Sequence, residues 1–265
     1  LPGAWRGFYD FGCGALGDMA CHVLGAPNMA LRLGAPTSVA CVKIEGKSEF
    51  SFPKKSVIRF DFPARGSMPP VKLFWHDGVD GAPYRPSDIA AEEPLGDVPL
   101  STIPGPVGAA LVAAYPPPPR PAGAPPQRPA DPPSPSAPGA VVRRGGSGCL
   151  FIGDKGCIST GEYGGSARLV PMDKMQDYKA PPQFLTRSPG TYRDWIRACK
   201  LGDPAASNFD VAGPFTEWIL LGVMALRFEG PLEWDSAKMR VTNNPRANEL
   251  IKPKMRNGWK FNWKL

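Results

Sequence analysis

The chain has few of the features that mark membrane, metal-binding or nucleotide-binding proteins. Its longest apolar run, near residues 218–226, is about half of the ~20 residues that a bilayer-spanning helix needs. It has two histidines, and none of its six cysteines forms a C-x-x-C pair. No strand–G-x-G-x-x-G–helix unit and no P-loop occurs. These absences exclude a membrane span, and they argue against a structural zinc site and a nucleotide-binding module within this chain.

The cysteines and the first residues of the sequence give information on the cellular compartment of the protein. A chain of 265 residues buries enough surface to fold without disulfides, so we expect six reduced, buried thiols. The sequence opens L-P-G-A, without an initiator methionine or a basic-then-apolar leader. We therefore expect a soluble fragment. The compartment stays open, with the cytoplasm slightly favoured.

The net charge of +7 is concentrated at one end. Residues 236–265 hold eight basic side chains and one acid, so this segment alone accounts for the whole excess. Nucleic-acid binders usually spread positive charge over a face and interleave aromatic residues. We therefore interpret the segment as a solvated basic tail and predict no nucleic-acid partner.

Residues 104–146 differ in composition from the rest. This window of 43 residues holds 14 of the 34 prolines, including four in a row at 116–119. Proline runs form polyproline II and cannot join a hydrogen-bonded ladder. We predict a disordered insertion here. A proline-rich docking motif and a segment translated out of frame are the two alternatives.

The flanking sequence predicts an α+β fold with an open, mainly antiparallel sheet and helices on one face. Residues 1–103 and 147–265 are assigned to one domain. Strand-like runs cover 37–45, 56–62 and 71–76, and a hairpin is expected across 149–160. Helical spacing covers 16–24 and 192–200. A longer helix capped at Ser207 runs to 227, and a last helix covers 245–251.

One stretch, residues 10–22 (DFGCGALGDMACH), carries a constellation suited to chemistry. On a helix Asp18 and His22 lie one turn apart, opposite an apolar stripe that includes Leu16 and Val23. A carboxylate beside an imidazole can fix its tautomer and raise its basicity, which suits proton removal from a hydroxyl. The alternative is a solvated ion pair of little consequence.

This stretch resembles the opening of the C-terminal domain in the glucose–fructose oxidoreductase / inositol dehydrogenase / MocA family. The family motif reads approximately G-G-x-x-x-D-x-G-x-H-x-x-D, and Gly14, Asp18 and His22 match it, with Gly12 a looser match. Further blocks, such as LFIGDKG at 150–156 and LEWD at 232–235, resemble a bacterial subgroup of that family. The similar blocks cover nearly the whole chain outside 104–146.

The resemblance implies a substrate domain of an NAD(P)-dependent oxidoreductase that acts on a sugar or polyol hydroxyl. It implies His22 as general base, Asp18 as its partner and substrate ligand, and a homo-oligomer formed through the sheet. We add three residues near the motif as substrate-binding candidates: Trp5, Tyr9 and Gly14. Two motif positions depart from the family, since Ala20 replaces a glycine and Gly25 replaces the final aspartate.

The family binds NAD or NADP in an N-terminal Rossmann domain, which is absent from this sequence. We therefore assign no cofactor-binding or metal-binding residue to this chain, and we expect the chain alone to be inactive as a dehydrogenase. The alternative is a non-catalytic oligomerisation or interaction module derived from that family, with the proline-rich segment as a docking tail.

Overall fold

The computed structural model describes residues 2–78, 84–115, 147–185, 187–251 and 257–258. Most of the proline-rich segment, residues 116–146, lies outside this range, so the disorder predicted there does too. At the start of that segment, regular structure extends further than the sequence predicts. Residues 105–114 form a helix, because the run VGAALVAA carries no proline that would interrupt helical hydrogen bonds.

Within the described residues the chain forms five α-helices and eight strands. The helices are α1 (Gly14–Val23), α2 (Gly25–Ala30), α3 (Gly105–Ala114), α4 (Thr191–Leu201) and α5 (Phe209–Ala225). The strands are β1 (Ser38–Glu45), β2 (Lys55–Phe62), β3 (Val71–Gly78), β4 (Gly148–Gly153), β5 (Gly156–Gly161), β6 (Arg168–Val170), β7 (Pro231–Asp235) and β8 (Arg240–Val241). The last helix expected from the sequence is a 3-10 helix, Pro245–Leu250.

The chain divides into two compact units, and the division falls inside the domain predicted from the sequence. The first unit contains Leu1–Val79 and Thr186–Leu265, and the second contains Asp80–Leu185. The prediction placed the first strands, residues 84–103 and the later hairpin in one domain, whereas in the structure residues 84–103 and the hairpin share the second unit. Their partners explain this, since the backbone of Gly96 donates to the Ser159 hydroxyl of β5 at 3.0 Å.

The first unit contains a five-stranded sheet in the order β3-β2-β1-β7-β8, and every neighbouring pair is antiparallel. Strand β2 alternates strictly, with one set of side chains buried under the helices and the other half-exposed. The buried set is Ser56, Ile58, Phe60 and Phe62. The arrangement confirms the predicted α+β class with an open antiparallel sheet.

Helix α5 packs on β1 and β2 and forms the centre of the first unit. Trp218 is fully buried, with its ring edge-on to Phe60 and Phe62 at centroid distances of 5.1 and 5.4 Å. At Gly222 the helix backbone approaches its neighbours so closely that an added Cβ would lie 2.5 Å from Phe60 and 2.8 Å from Leu16. Glycine at this position therefore brings α1, α5 and β2 into one contact.

The helix ends differ from the sequence prediction in detail. Asn208, not Ser207, caps α5, because its side-chain oxygen accepts the backbone N–H of Asp210 at 2.9 Å. In α4 the buried residue is Asp194, which accepts from the Ala206 backbone and from Arg197. These bonds tie α4 to the turn that precedes α5.

The second unit is built on a three-stranded antiparallel sheet, β4-β5-β6. The predicted hairpin is confirmed, since Gly153 pairs with Gly156 across a turn at Asp154 and Lys155. Arg168 is buried beside this sheet and donates to the backbone carbonyls of Gly96, Ser166 and Pro94. Its guanidinium therefore joins the 94–97 loop to β6.

The prediction of six buried thiols is wrong. All six cysteines are free, but Cys13, Cys21 and Cys199 are exposed and the other three are only partly buried. The reason at Cys21 is its position in α1, on the side away from the sheet. Among the described residues, no helix is both long enough and apolar enough to cross a membrane.

We predict that Gly222→Ala lowers the free energy of unfolding by about 1–3 kcal/mol, because the added methyl overpacks the contact with Phe60 and Leu16. Gly25→Ala is the matched control, since no atom lies within 4 Å of the position that its Cβ would occupy and its backbone suits alanine. Urea unfolding of both variants checks the prediction. Equal stability of the two variants would contradict this account of the core.

Candidate functional site

Helix α1 has one face packed in the first unit and one face exposed. Leu16, Ala20 and Val23 are buried, and α5 is the main neighbour of this face. Asp18 and His22 are exposed, on the other side of the helix. The sequence pattern therefore placed these two side chains correctly with respect to the core. The buried stripe holds the helix, and the polar face remains accessible.

Asp18 has an ion-pair partner that the sequence did not suggest. The Arg6 guanidinium binds the Asp18 carboxylate, with 55% and 45% of the two side chains exposed. An ion pair this exposed contributes only about 0–1 kcal/mol to stability. Its consequence is local, because it fixes a cation beside the carboxylate that the motif singles out.

His22 lies in the last turn of α1. One residue before it, the Cys21 thiol donates to the backbone oxygen of Asp18 at 3.2 Å. The imidazole is exposed to solvent.

The segment before α1 is held to the loop that follows β1. A 3-10 helix, Pro2–Gly7, leads into an antiparallel bridge between Phe8 and Ser51. Phe52 donates its backbone N–H to Gly7 at 2.9 Å, and Tyr9 donates to Phe50 at 3.0 Å. These bonds place Arg6 next to α1.

Gly14 begins α1 in a conformation that favours glycine. Its φ is +66°, and an added Cβ would lie 2.7 Å from the Phe52 ring. The Phe52 ring also packs on Tyr9, with centroids 4.3 Å apart. Gly14 therefore acts through the backbone, because it lets the aromatic ring lie directly on the helix start.

A cavity of about 280 Å³ lies at this N-terminal end of α1. Its side-chain lining combines two cations, one carboxylate and an aromatic ring: Arg6, Lys54, Asp77 and Phe52. Gly14, Ala15 and Leu16 of the helix start line it as well. Because Arg6 also binds Asp18, the cavity adjoins the exposed face of α1.

Tyr9 lines a different cavity, of about 380 Å³, together with Lys47, Ser48, Glu49 and Arg227. The Arg227 guanidinium lies over the Tyr9 ring, 4.8 Å from its centroid. Burial raises the pKa of Tyr9, and the Arg227 charge partly opposes that rise. The structure therefore does not bring Tyr9 into the same cavity as Gly14.

Trp5 is 61% exposed and lies beside Phe11, with ring centroids 5.9 Å apart. It lines neither cavity. Of the five residues that the sequence singled out, Asp18 and His22 share the exposed face of α1, and Gly14 lines the adjoining cavity. Trp5 and Tyr9 lie elsewhere on the same segment.

Asp77 is the residue that sequence reasoning missed. The strand expected from the sequence ends at residue 76, but β3 continues to Gly78, and Asp77 pairs with Ser56. The alternation of β3 contains the signal, because Leu73 and Trp75 are buried and Asp77 follows them on the same face. Burial raises the pKa of Asp77, while a Gly78 backbone hydrogen bond and the nearby Arg6 charge oppose the rise.

The glycine-rich segment at 12–17 lacks the structure of a dinucleotide-binding loop. The letters at 12–17 match the bare pattern G-x-G-x-x-G, but a 3-10 helix and an isolated bridge precede them instead of a parallel strand. The chain's own atoms also fill the space at two of these glycines: Arg6 backbone atoms at Gly12 and the Phe52 ring at Gly14. We therefore assign no phosphate-binding role to the glycines at 12–17.

No metal centre is visible in the described part of the chain, where no three His, Cys, Asp or Glu side chains are grouped closely enough to hold an ion. The exposed pair on α1 and the cavity beside it therefore form the candidate site. Its chemistry is that of carboxylates, one imidazole, cations and an aromatic ring.

No protein-family profile matches the chain. No curated protein matches it either.

We predict that Asp77→Asn raises the free energy of unfolding at pH 7. Burial raises the pKa of the carboxyl in the folded state, so its ionised form opposes folding. The difference in unfolding free energy between the variant and the parent should shrink as the pH falls toward about 4, where Asp77 is increasingly protonated in both the folded and the unfolded state. Urea unfolding of both proteins between pH 4 and 7 measures this. A variant less stable than the parent at pH 7 would contradict it.

Proposed function

We propose that the first unit is the sugar- or polyol-binding domain of an oxidoreductase similar to the glucose–fructose oxidoreductase / inositol dehydrogenase / MocA family. The observation that carries the proposal is the exposure of Asp18 and His22 on one face of α1. The five-stranded antiparallel sheet of the first unit also supports the proposal, because the resemblance implies an open, mainly antiparallel sheet.

In this proposal Asp18 and Arg6 bind hydroxyl groups of the ligand. A carboxylate accepts hydrogen bonds from hydroxyls, and a guanidinium donates to their oxygens. His22 accepts the proton of the hydroxyl that reacts, because imidazole is the side chain whose protonation changes near neutral pH. The buried stripe of α1 keeps these groups in fixed positions.

The nicotinamide cofactor, NAD or NADP, would be held outside the described residues. It supplies the redox chemistry when it is bound. This unit supplies ligand binding, orientation of the hydroxyl and an acceptor for its proton. The chain by itself therefore binds a sugar without oxidising it.

The outer face of the sheet favours a second candidate, a non-catalytic assembly module. On β3 Phe74 is 48% exposed, and its ring lies beside His76 with centroids 6.4 Å apart. Apolar side chains that are exposed on a sheet face become buried when another protein covers that face. Light scattering measures the oligomeric state of the chain. A stable homo-oligomer that shows no affinity for sugars favours the assembly module over the sugar-binding domain.

We predict that His22→Ala and Asp18→Asn each weaken sugar binding by about tenfold. His22→Ala removes a hydrogen-bond acceptor, which is worth about 0.5–1.5 kcal/mol, and Asp18→Asn removes the negative charge that makes a carboxylate the stronger acceptor. Saturation-transfer NMR of the chain with glucose and myo-inositol measures the affinities. Asp154→Asn, on the exposed β4–β5 turn, is the control.

The control should bind as the parent does, and all three variants should unfold at similar urea concentrations, because both α1 side chains are exposed. Equal sugar affinity in the parent, His22→Ala and Asp18→Asn would remove α1 from the binding site. Absence of binding of any sugar to the parent would overturn the proposed function.

A further inference from the structure

The cavity at the start of α1 and His22 lie at opposite ends of the helix. Gly14 lines the cavity, and His22 is eight residues further along. At 1.5 Å per residue the two positions are about 12 Å apart along the helix axis. That separation exceeds the length of one pyranose ring, so a single ring in the cavity does not reach His22.

Arg6 connects the two ends. It lines the cavity, and its guanidinium binds the Asp18 carboxylate, which lies halfway between Gly14 and His22. A ligand that extends from the cavity along the exposed face of α1 therefore meets Arg6 first, Asp18 next and His22 last. Polar groups follow the whole path.

The cavity lining matches an uncharged polyhydroxyl ring. Phe52, Pro53 and Leu226 supply apolar surface for the C–H groups of a sugar, and Arg6 and Asp77 supply a donor and an acceptor for its hydroxyls. The cavity volume of about 280 Å³ lies close to the lower end of the range for ligand sites.

The charges around the cavity balance. Arg6 and Lys54 are cationic, Asp77 is anionic, and Asp18 neutralises Arg6 from outside. A site for a phosphate or a carboxylate carries an excess of positive charge, since each unpaired buried charge is costly. Balanced charges favour a neutral ligand over a sugar phosphate or a sugar acid.

We propose that this cavity is a second sugar subsite, so that the ligand of the α1 face is a neutral disaccharide or a longer saccharide. One ring occupies the cavity, where it contacts Phe52, Asp77 and Arg6. The next ring lies along α1 at Asp18 and His22. This inference rests on the proposed function, because it extends the same binding face by one subsite.

The test compares ligands of one and two rings on the full chain. Titration calorimetry with glucose, maltose, cellobiose and glucose 6-phosphate gives the affinities. We expect at least one disaccharide to bind about tenfold more tightly than glucose, because the second ring adds charged hydrogen bonds. Glucose 6-phosphate should bind no better than glucose.

The variant Asp77→Asn tests the contribution of the cavity separately from that of the α1 face. It should remove most of the disaccharide advantage and change the glucose affinity by much less, since in this proposal a single ring binds mainly at Asp18 and His22. The variant is expected to fold, because the change relieves a buried charge. Phe52→Leu serves as a second variant with the same expected pattern, and Asp154→Asn is the control.

The outcomes separate this inference from the proposed function. Equal affinity for glucose and both disaccharides, or a disaccharide advantage that survives Asp77→Asn and Phe52→Leu, overturns the second subsite and leaves the α1 site intact. Tighter binding of glucose 6-phosphate overturns the neutral ligand. If no sugar binds the parent chain, both proposals fall.

Discussion

The contact at Gly222 determines the geometry of the candidate site. There α5 approaches both the Phe60 ring of β2 and the Leu16 side chain of α1 without an intervening Cβ. Because Leu16 belongs to the buried stripe of α1, this contact fixes the rotation of that helix. The opposite side of α1, with Asp18 and His22, is then directed outward.

One cation, Arg6, connects the two carboxylates of the candidate site. The Arg6 guanidinium forms an ion pair with the exposed Asp18 carboxylate. Its charge also opposes the rise in the pKa of the half-buried Asp77 that burial causes. The bridge between Phe8 and Ser51 brings Arg6 to this position, and Phe52 packs on Gly14 from the same loop. The loop after β1 therefore shapes the cavity although it carries none of the motif residues.

Local patterns predicted much of the first unit. The strand-like run 56–62 lies within β2, and the helical spacing of the apolar residues of α1 predicts one buried face, which holds Leu16, Ala20 and Val23. The exposure of Asp18 and His22 follows from the same spacing. The strand β7 was not predicted, because its five residues PLEWD hold only two buried side chains.

The contacts between residues far apart in the sequence could not be predicted from local patterns. The pairing of Arg6 with Asp18 depends on where a 3-10 helix meets α1, and nothing in the spacing of the two residues indicates it. Asp77 lies just beyond the strand-like run 71–76, and only its pairing with Ser56 on the neighbouring strand places it in β3. The separation into two units likewise depends on tertiary pairs such as Gly96 with Ser159.

Mapping of the bound saccharide on the protein tests the central claim most directly. In 1H–15N NMR spectra of the chain with maltose, the account predicts shift changes that cluster at residues 5–7, 14–22, 52–54 and 77. These residues carry the exposed face of α1 and the cavity beside it. Changes confined to the outer face of the sheet, around Phe74, or to the second unit would contradict the account.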